Sequence, residues 1–219
     1  MKFSATYISY LLFCSLFSIP SFASSHQPHA LTSLGAKPHY WVYLTGLNDT
    51  LSSAQELKNR AILDQIGTKQ HIAFLAVHPH FRCKAFQQKL CWYAPNEHED
   101  VVSTYHMISH VVKDYQVEGY IGFSNGAIYL SQLVQQYNLD KPVVMIAAAG
   151  AKTTAIKNNG PLVLIVGKQD PAHLKGVLDF AKQLSKNKFR LIEHNGGHEI
   201  PKKELSTTLH NLSDHSNLS

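Results

Sequence analysis

The chain has 219 residues, 44% of them apolar and 16% charged, which is enough for one ordinary domain with a full core and far from a disordered composition. The formal charge of +5 is spread along the chain, and no basic run interleaved with aromatics points to nucleic acid. A sequence pI of about 9.0 is compatible with a peripheral contact to an anionic membrane surface, and supports nothing stronger.

The first 23 residues read as an export signal. Met1-Lys2 is a positive start, Tyr7 to Ile19 is apolar, Pro20 breaks the run, and Ser21-Phe22-Ala23 offers the small residues a signal peptidase reads. The apolar run is short for a bilayer span. Cleavage after Ala23 is expected, leaving a mature domain over residues 24–219 that is periplasmic or secreted. Cys14 follows Phe13, where a lipoprotein signal needs a small residue, so lipid anchoring is not expected. Cleavage also removes Cys14 and leaves Cys83 and Cys91, which an exported protein is expected to pair as a disulfide. Free thiols, or a metal pair with nearby histidines, are the alternatives.

Residues 24–38 are polar, with Pro, Gly and His, and read as an irregular lead-in. His39 to Thr45 is a β-prone run ended by Gly46. A helix is expected over 51–66, ended by Gly67, and a strand buried on both faces over 72–77. From 78 to 97 the periodicity breaks down into a long loop holding both cysteines, Trp92 and Tyr93. Then follow a helix over 98–115, a strand over 117–123, a helix from Ser124 to 137, and strands over 142–148 and 161–166. A helix over 172–184, a strand over 189–193, a helix over 202–212 and a polar tail complete the chain. The alternation of apolar strands with helices predicts an α/β fold with a mostly parallel sheet of about six strands, covered on both faces.

The chemistry centres on Gly122-Phe123-Ser124-Asn125-Gly126, between a predicted strand and a predicted helix. A serine there sits on a tight turn that lifts Oγ above the sheet edge. The Asn125 backbone N–H, at the start of the helix, is placed to stabilise an oxyanion. A serine hydroxyl needs a base, and the base needs an orienting carboxylate. Asp170 lies just past the carboxyl end of one predicted strand, and His198 follows the last strand after Gly196-Gly197. Each has a rival. Asp170 could serve only as a helix cap before Pro171, and Asp140 precedes a strand and so faces the wrong sheet edge. His194 competes with His198 as the base, without the glycine pair before it.

On these residues, with Gly167-Lys168-Gln169-Asp170 and Gly196-Gly197-His198, the chain resembles the α/β-hydrolase family from His39 to about Leu212. The resemblance implies an α/β-hydrolase fold with Ser124 as nucleophile, His198 as general base then acid, and Asp170 as its orienter. The Thr45-Gly46-Leu47 loop resembles the family's oxyanion loop, with Thr45 where a histidine is usual, and Leu47 would donate the second backbone N–H. Residues 147–160 are too short for a helical cap, so no large cap domain is expected.

The expected reaction is hydrolysis of a small-molecule or lipid carboxylic ester, with no cofactor and no obligate protein partner. Thioesterase or (lyso)phospholipase and lipase activity on the same three residues are alternatives. A catalytically inactive binding protein, or a flavodoxin-like module cradling phosphate at 122–126, represents the non-enzymatic class. Phe81, Phe86, Trp92 and Tyr93 either line a substrate site or anchor the 78–97 loop to the core. His106 and His110, or His78 and His80, suggest a metal only weakly, because no third ligand follows at zinc spacing. Asn48, Asn211 and Asn217 begin glycosylation acceptor triplets that matter only in a eukaryotic host.

Overall fold

The computed structural model describes residues 29–30, 39–47, 53–79, 81–83, 89–92, 98–148, 155–184 and 189–216. The export signal, the 48–50 acceptor triplet, Phe86, Tyr93 and residues 149–154 lie outside the described residues.

Chain order gives β1 (His29–Ala30), β2 (His39–Leu44), α1 (Ala54–Gln70), β3 (Ile72–Val77), β4 (Phe81–Arg82) and β5 (Leu90–Cys91). There follow α2 (His98–Val112), β6 (Val117–Phe123), α3 (Asn125–Gln136), β7 (Val143–Ile146) and β8 (Leu162–Gly167). The last elements are α4 (Pro171–Gln183), β9 (Phe189–His194) and α5 (Lys202–Ser216). Seven strands form one sheet in the order β1-β3-β2-β6-β7-β8-β9. The six from β3 to β9 run parallel, and the two-residue β1 adds an antiparallel edge to β3. The short β4 and β5 pair separately.

Alternation along the strands sorts side chains to two faces. Val42 and Leu44 of β2 face one way, where Leu75, Met145, Leu164 and the apolar sides of α2, α3 and α4 meet them. Trp41 and Tyr43 face the other, against Phe74, Ile121, Val144 and Ile165 and against Leu63 and Ile66 of α1 and Leu205 and Leu209 of α5. Burial on both faces explains why Ile72–Val77 and Leu162–Gly167 are apolar without interruption.

The topology also fixes where a site can form. From β2 the chain crosses to β3 on one side, then returns to place β6 on the other side of β2. The carboxyl ends of β2 and β6 therefore flank the point where strand order reverses, where open parallel sheets carry their crevice.

Five features differ from the sequence expectation. His29–Ala30 pair with Leu75 and Ala76 instead of trailing irregularly, and the 78–97 segment contains the β4–β5 pair. Helix α1 continues past Gly67 and ends at His71, whose φ of 57° and N–H to the Gly67 carbonyl close it. Gly67 is buried, so packing overrides its low helix propensity. Helix α2 stops at Val112, where the Tyr115 N–H turns back to the Val112 carbonyl. Helix α5 extends to Ser216, beyond Leu212, which packs on the core.

Candidate active site

Ser124 stands between β6 and α3 with φ 53° and ψ −116°. A residue with a Cβ rarely adopts that combination, so the surroundings must hold it. They do so through two backbone bonds: the Ser124 N–H donates to the Ile146 carbonyl at 2.8 Å, and the Ser124 carbonyl accepts the Ile128 N–H at 3.0 Å. The glycines on either side are steric necessities. A Cβ on Gly126 would stand 2.3 Å from the Leu44 carbonyl oxygen, and one on Gly122 would stand 2.7 Å from the Ala127 backbone. The strand-to-helix turn is therefore wedged against the end of β2.

The Thr45-Gly46-Leu47 loop lies beside the serine. A Cβ built on Gly46 would meet the Phe123 ring at 3.1 Å and the Ser124 Cβ at 3.4 Å. Asn125 is the first residue of α3, so its N–H is among those a helix start leaves without an intrahelical acceptor. Its side chain has a separate task, accepting the Trp92 backbone N–H on Oδ1 at 3.0 Å.

Trp92 is fully buried and ties three elements together. Its indole N–H donates to the Thr45 carbonyl at 2.7 Å, its carbonyl accepts from Thr104 Oγ1 of α2 at 3.3 Å, and its ring stacks on Tyr129 of α3. Trp92 thus anchors its segment to the core. Immediately before it, Cys91 is disulfide-bonded to Cys83. Phe81, half-buried, pairs with Cys91 across the β4–β5 ladder.

The acidic and basic residues come from the far half of the sheet. Asp170 follows β8 and caps α4, with Pro171 in the first turn. Its Oδ2 accepts from His198 Nδ1 at 2.7 Å, so it both caps a helix and holds a histidine. His198 follows β9 in a turn pinned to the end of β8: Lys168 N–H donates to the His194 carbonyl at 2.8 Å, and Gln169 N–H to that of Gly196 at 3.0 Å. The His198 ring lies 4.9 Å, centroid to centroid, from that of Phe123, next to Ser124. His194 is buried and turned elsewhere, with Nδ1 accepting the Gly196 N–H at 3.0 Å. Asp140 sits in the turn before β7, at the opposite edge of the sheet.

Asp170 carries a second imidazole that the sequence reading did not single out. His173 Nδ1 bonds Oδ1 at 2.8 Å, and its ring stacks on that of His198 at 4.1 Å and 28°. The available signal was positional, since a residue three beyond a helix cap can reach back to it. Burial pushes the Asp170 pKa up, but the hydrogen bonds and charge of His173 and His198 outweigh that and hold it below the usual carboxylate range.

Donor atoms of Asp170, His173 and His198 lie within 4.8 Å of one another, which invites a metal. The ring geometry does not suit one. Imidazole lone pairs lie in the ring plane, and a metal sits about 2 Å from each nitrogen. Two rings only 28° from parallel, each facing a different carboxylate oxygen, do not converge on such a point. His106 and His110 are exposed or nearly so on α2, and His80 lies outside the described residues.

Comparison with known proteins agrees with this architecture. The family model described as serine hydrolase (FSH1) matches residues 65–208. No curated protein matches the chain in sequence. Among solved structures, the carboxylesterase of Bacillus cereus superimposes with a TM-score of 0.62 at 15% identity, over 88% of this chain and 97% of that one. A carboxylesterase from Mesorhizobium loti gives 0.58 at 14%, over 78% and 88% of the two chains. The protein Atu2452 of Agrobacterium tumefaciens str. C58 gives 0.56 at 19%, over 87% and 97%. These likenesses establish an α/β-hydrolase fold.

Proposed function

The chain belongs to the serine hydrolase (FSH1) family, and we propose that it hydrolyses carboxylic esters through an acyl-enzyme on Ser124. The observation that carries this reading is the 2.7 Å bond between His198 Nδ1 and Asp170, on a ring packed against the residue before Ser124. A carboxylate only accepts, so the proton of that bond is on His198 Nδ1, and in the neutral ring Nε2 carries the lone pair that acts as base.

In the proposed reaction His198 Nε2 takes the Ser124 hydroxyl proton as Oγ bonds to the ester carbonyl carbon. Charge on the carbonyl oxygen is met by the N–H groups of Asn125 and Leu47, and losing one such donor typically costs about 10²–10³ in rate. The tetrahedral adduct collapses, the C–O bond to the alcohol breaks, and His198 Nε2–H protonates the departing oxygen. Water then repeats the sequence on the acyl-enzyme and frees the acid. Asp170, held ionised, keeps the Nδ1 proton in place and stabilises the imidazolium of each transition state.

An ester with an apolar acyl group is the proposed substrate, reached through an open site. The similar proteins from Bacillus cereus and Mesorhizobium loti are carboxylesterases, which favours esters over thioesters. Export through cleavage after Ala23 is likewise proposed, on the sequence pattern of residues 1–23.

A fluorophosphonate probe tests the assignment. It is expected to label the wild-type protein and to leave Ser124→Ala unlabelled. An unlabelled wild type, or labelling that persists in Ser124→Ala, overturns it. p-Nitrophenyl esters of graded chain length then read the acyl preference.

A further inference from the structure

We propose that His173 is a positioning residue of the reaction, acting on His198 through the carboxylate they share. The inference rests on the assignment of Asp170 and His198 given above. Asp170 has two oxygens, and the structure gives each one imidazole: Oδ2 holds His198 Nδ1 at 2.7 Å and Oδ1 holds His173 Nδ1 at 2.8 Å. The helix cap alone holds Oδ1 weakly, because the His173 backbone N–H lies 3.4 Å away, at the limit of a hydrogen bond. The ring N–H is thus the firm contact that stops the carboxylate from turning about its Cβ–Cγ bond. With Oδ1 fixed, Oδ2 has one orientation, and the direction in which His198 presents Nε2 is fixed with it.

Local sequence explains the arrangement. Asp170 is the cap of α4, Pro171 sets the first turn, and His173, three residues beyond the cap, projects back toward it. The same placement lays the His173 ring over that of His198, at 4.1 Å between centroids. His198 is thereby restrained twice, at Nδ1 by the carboxylate and on its ring by a second imidazole. His173 is partly exposed, with 26% of its side chain accessible, and belongs to neither main apolar core, so its replacement leaves those cores intact.

Two variants separate the hydrogen bond from the ring. His173→Ala removes both, whereas His173→Asn keeps an N–H donor close to the position of Nδ1. On a p-nitrophenyl ester, His173→Ala is expected to lower kcat about tenfold, below the roughly 10²-fold cost of a 1 Å misplacement. KM is expected to stay within about twofold, because His173 acts on the base and not on substrate binding. His173→Asn is expected to recover kcat to within about threefold of wild type, with melting temperatures recorded for both variants. Unchanged kcat in His173→Ala, or a His173→Asn variant as slow as His173→Ala, overturns the proposal. Failure of the wild type to react with fluorophosphonate is a different result, and it removes the underlying assignment instead.

Discussion

Ser124→Gly is expected to stabilise the protein relative to Ser124→Ala while both variants are inactive. Ser124 is held at φ 53° and ψ −116°, the first-corner geometry of a type II′ turn, which glycine dominates. Holding a side chain there costs about 1–3 kcal/mol. Alanine keeps that cost, because the strain comes from Cβ and not from the hydroxyl. Glycine removes it but adds roughly 0.5–1 kcal/mol of unfolded-state entropy. The balance is about 1 kcal/mol in favour of glycine, or about 2–4 °C in Tm for a chain of this size. Urea unfolding of the two variants, compared at equal m-value, measures the difference directly. A glycine variant equal to or less stable than the alanine variant would mean that the turn is not strained, and the argument from φ would fail.

Three further outcomes follow from the bonds around the site. The folded-state pKa of Asp170 lies below its unfolded value of about 3.9, so its contribution to stability is present above that pH and is lost as pH falls through the folded pKa. The stability difference between wild type and Asp170→Asn should therefore shrink below about pH 4, and a difference that grows there in urea titrations contradicts the assigned shift. Trp92→Phe keeps the stack on Tyr129 but leaves the buried Thr45 carbonyl without its indole donor, at about 1–3 kcal/mol. Calorimetry should show that loss, and fluorophosphonate labelling should slow as the Thr45-Gly46-Leu47 loop loosens; unchanged labelling argues against a role for this loop. Reducing the Cys83–Cys91 bridge, whose cysteines are 8 residues apart, should cost ~2–3 kcal/mol by loop closure, and an unchanged Tm under reductant would contradict it.

The legible parts of the fold are those where one physical demand dominates. Strands such as Ile72–Val77 and Leu162–Gly167 are buried on both faces and so read as unbroken apolar runs. Ser124 was legible because a tight strand-to-helix turn tolerates nothing but glycine at 122 and 126. Elements stabilised from outside themselves were not. The two residues of β1 exist because β3 offers an open edge, and Gly67 stays helical because it is packed. Trp92 is the sharpest case. An aromatic in a loop fits a substrate wall or a core anchor equally well, and only the tertiary partners Thr45, Thr104 and Tyr129 separate the two. His173 escaped notice for a related reason: its meaning depends on Asp170 having a second oxygen to offer, and sequence spacing does not display that.

The candidate site is assembled from two halves that are each knitted internally and meet at one place. In the first, Trp92 joins the Thr45 loop through its indole N–H and the Asn125 side chain and α2 through its backbone, so the groups proposed to meet the oxyanion share one buried residue. In the second, Asp170 joins His173 and His198 across the ends of β8 and β9. The halves come from opposite sides of the sheet order, and the Phe123 ring contacts both: it lies under Gly46 on one side and against His198 on the other. Phe123 is itself buried and belongs to the sheet face covered by α1 and α5. The relative placement of serine and base is therefore referred to the rigid core and not to loop conformation. Strand ends and a wedged turn position Ser124, His198 and Asp170.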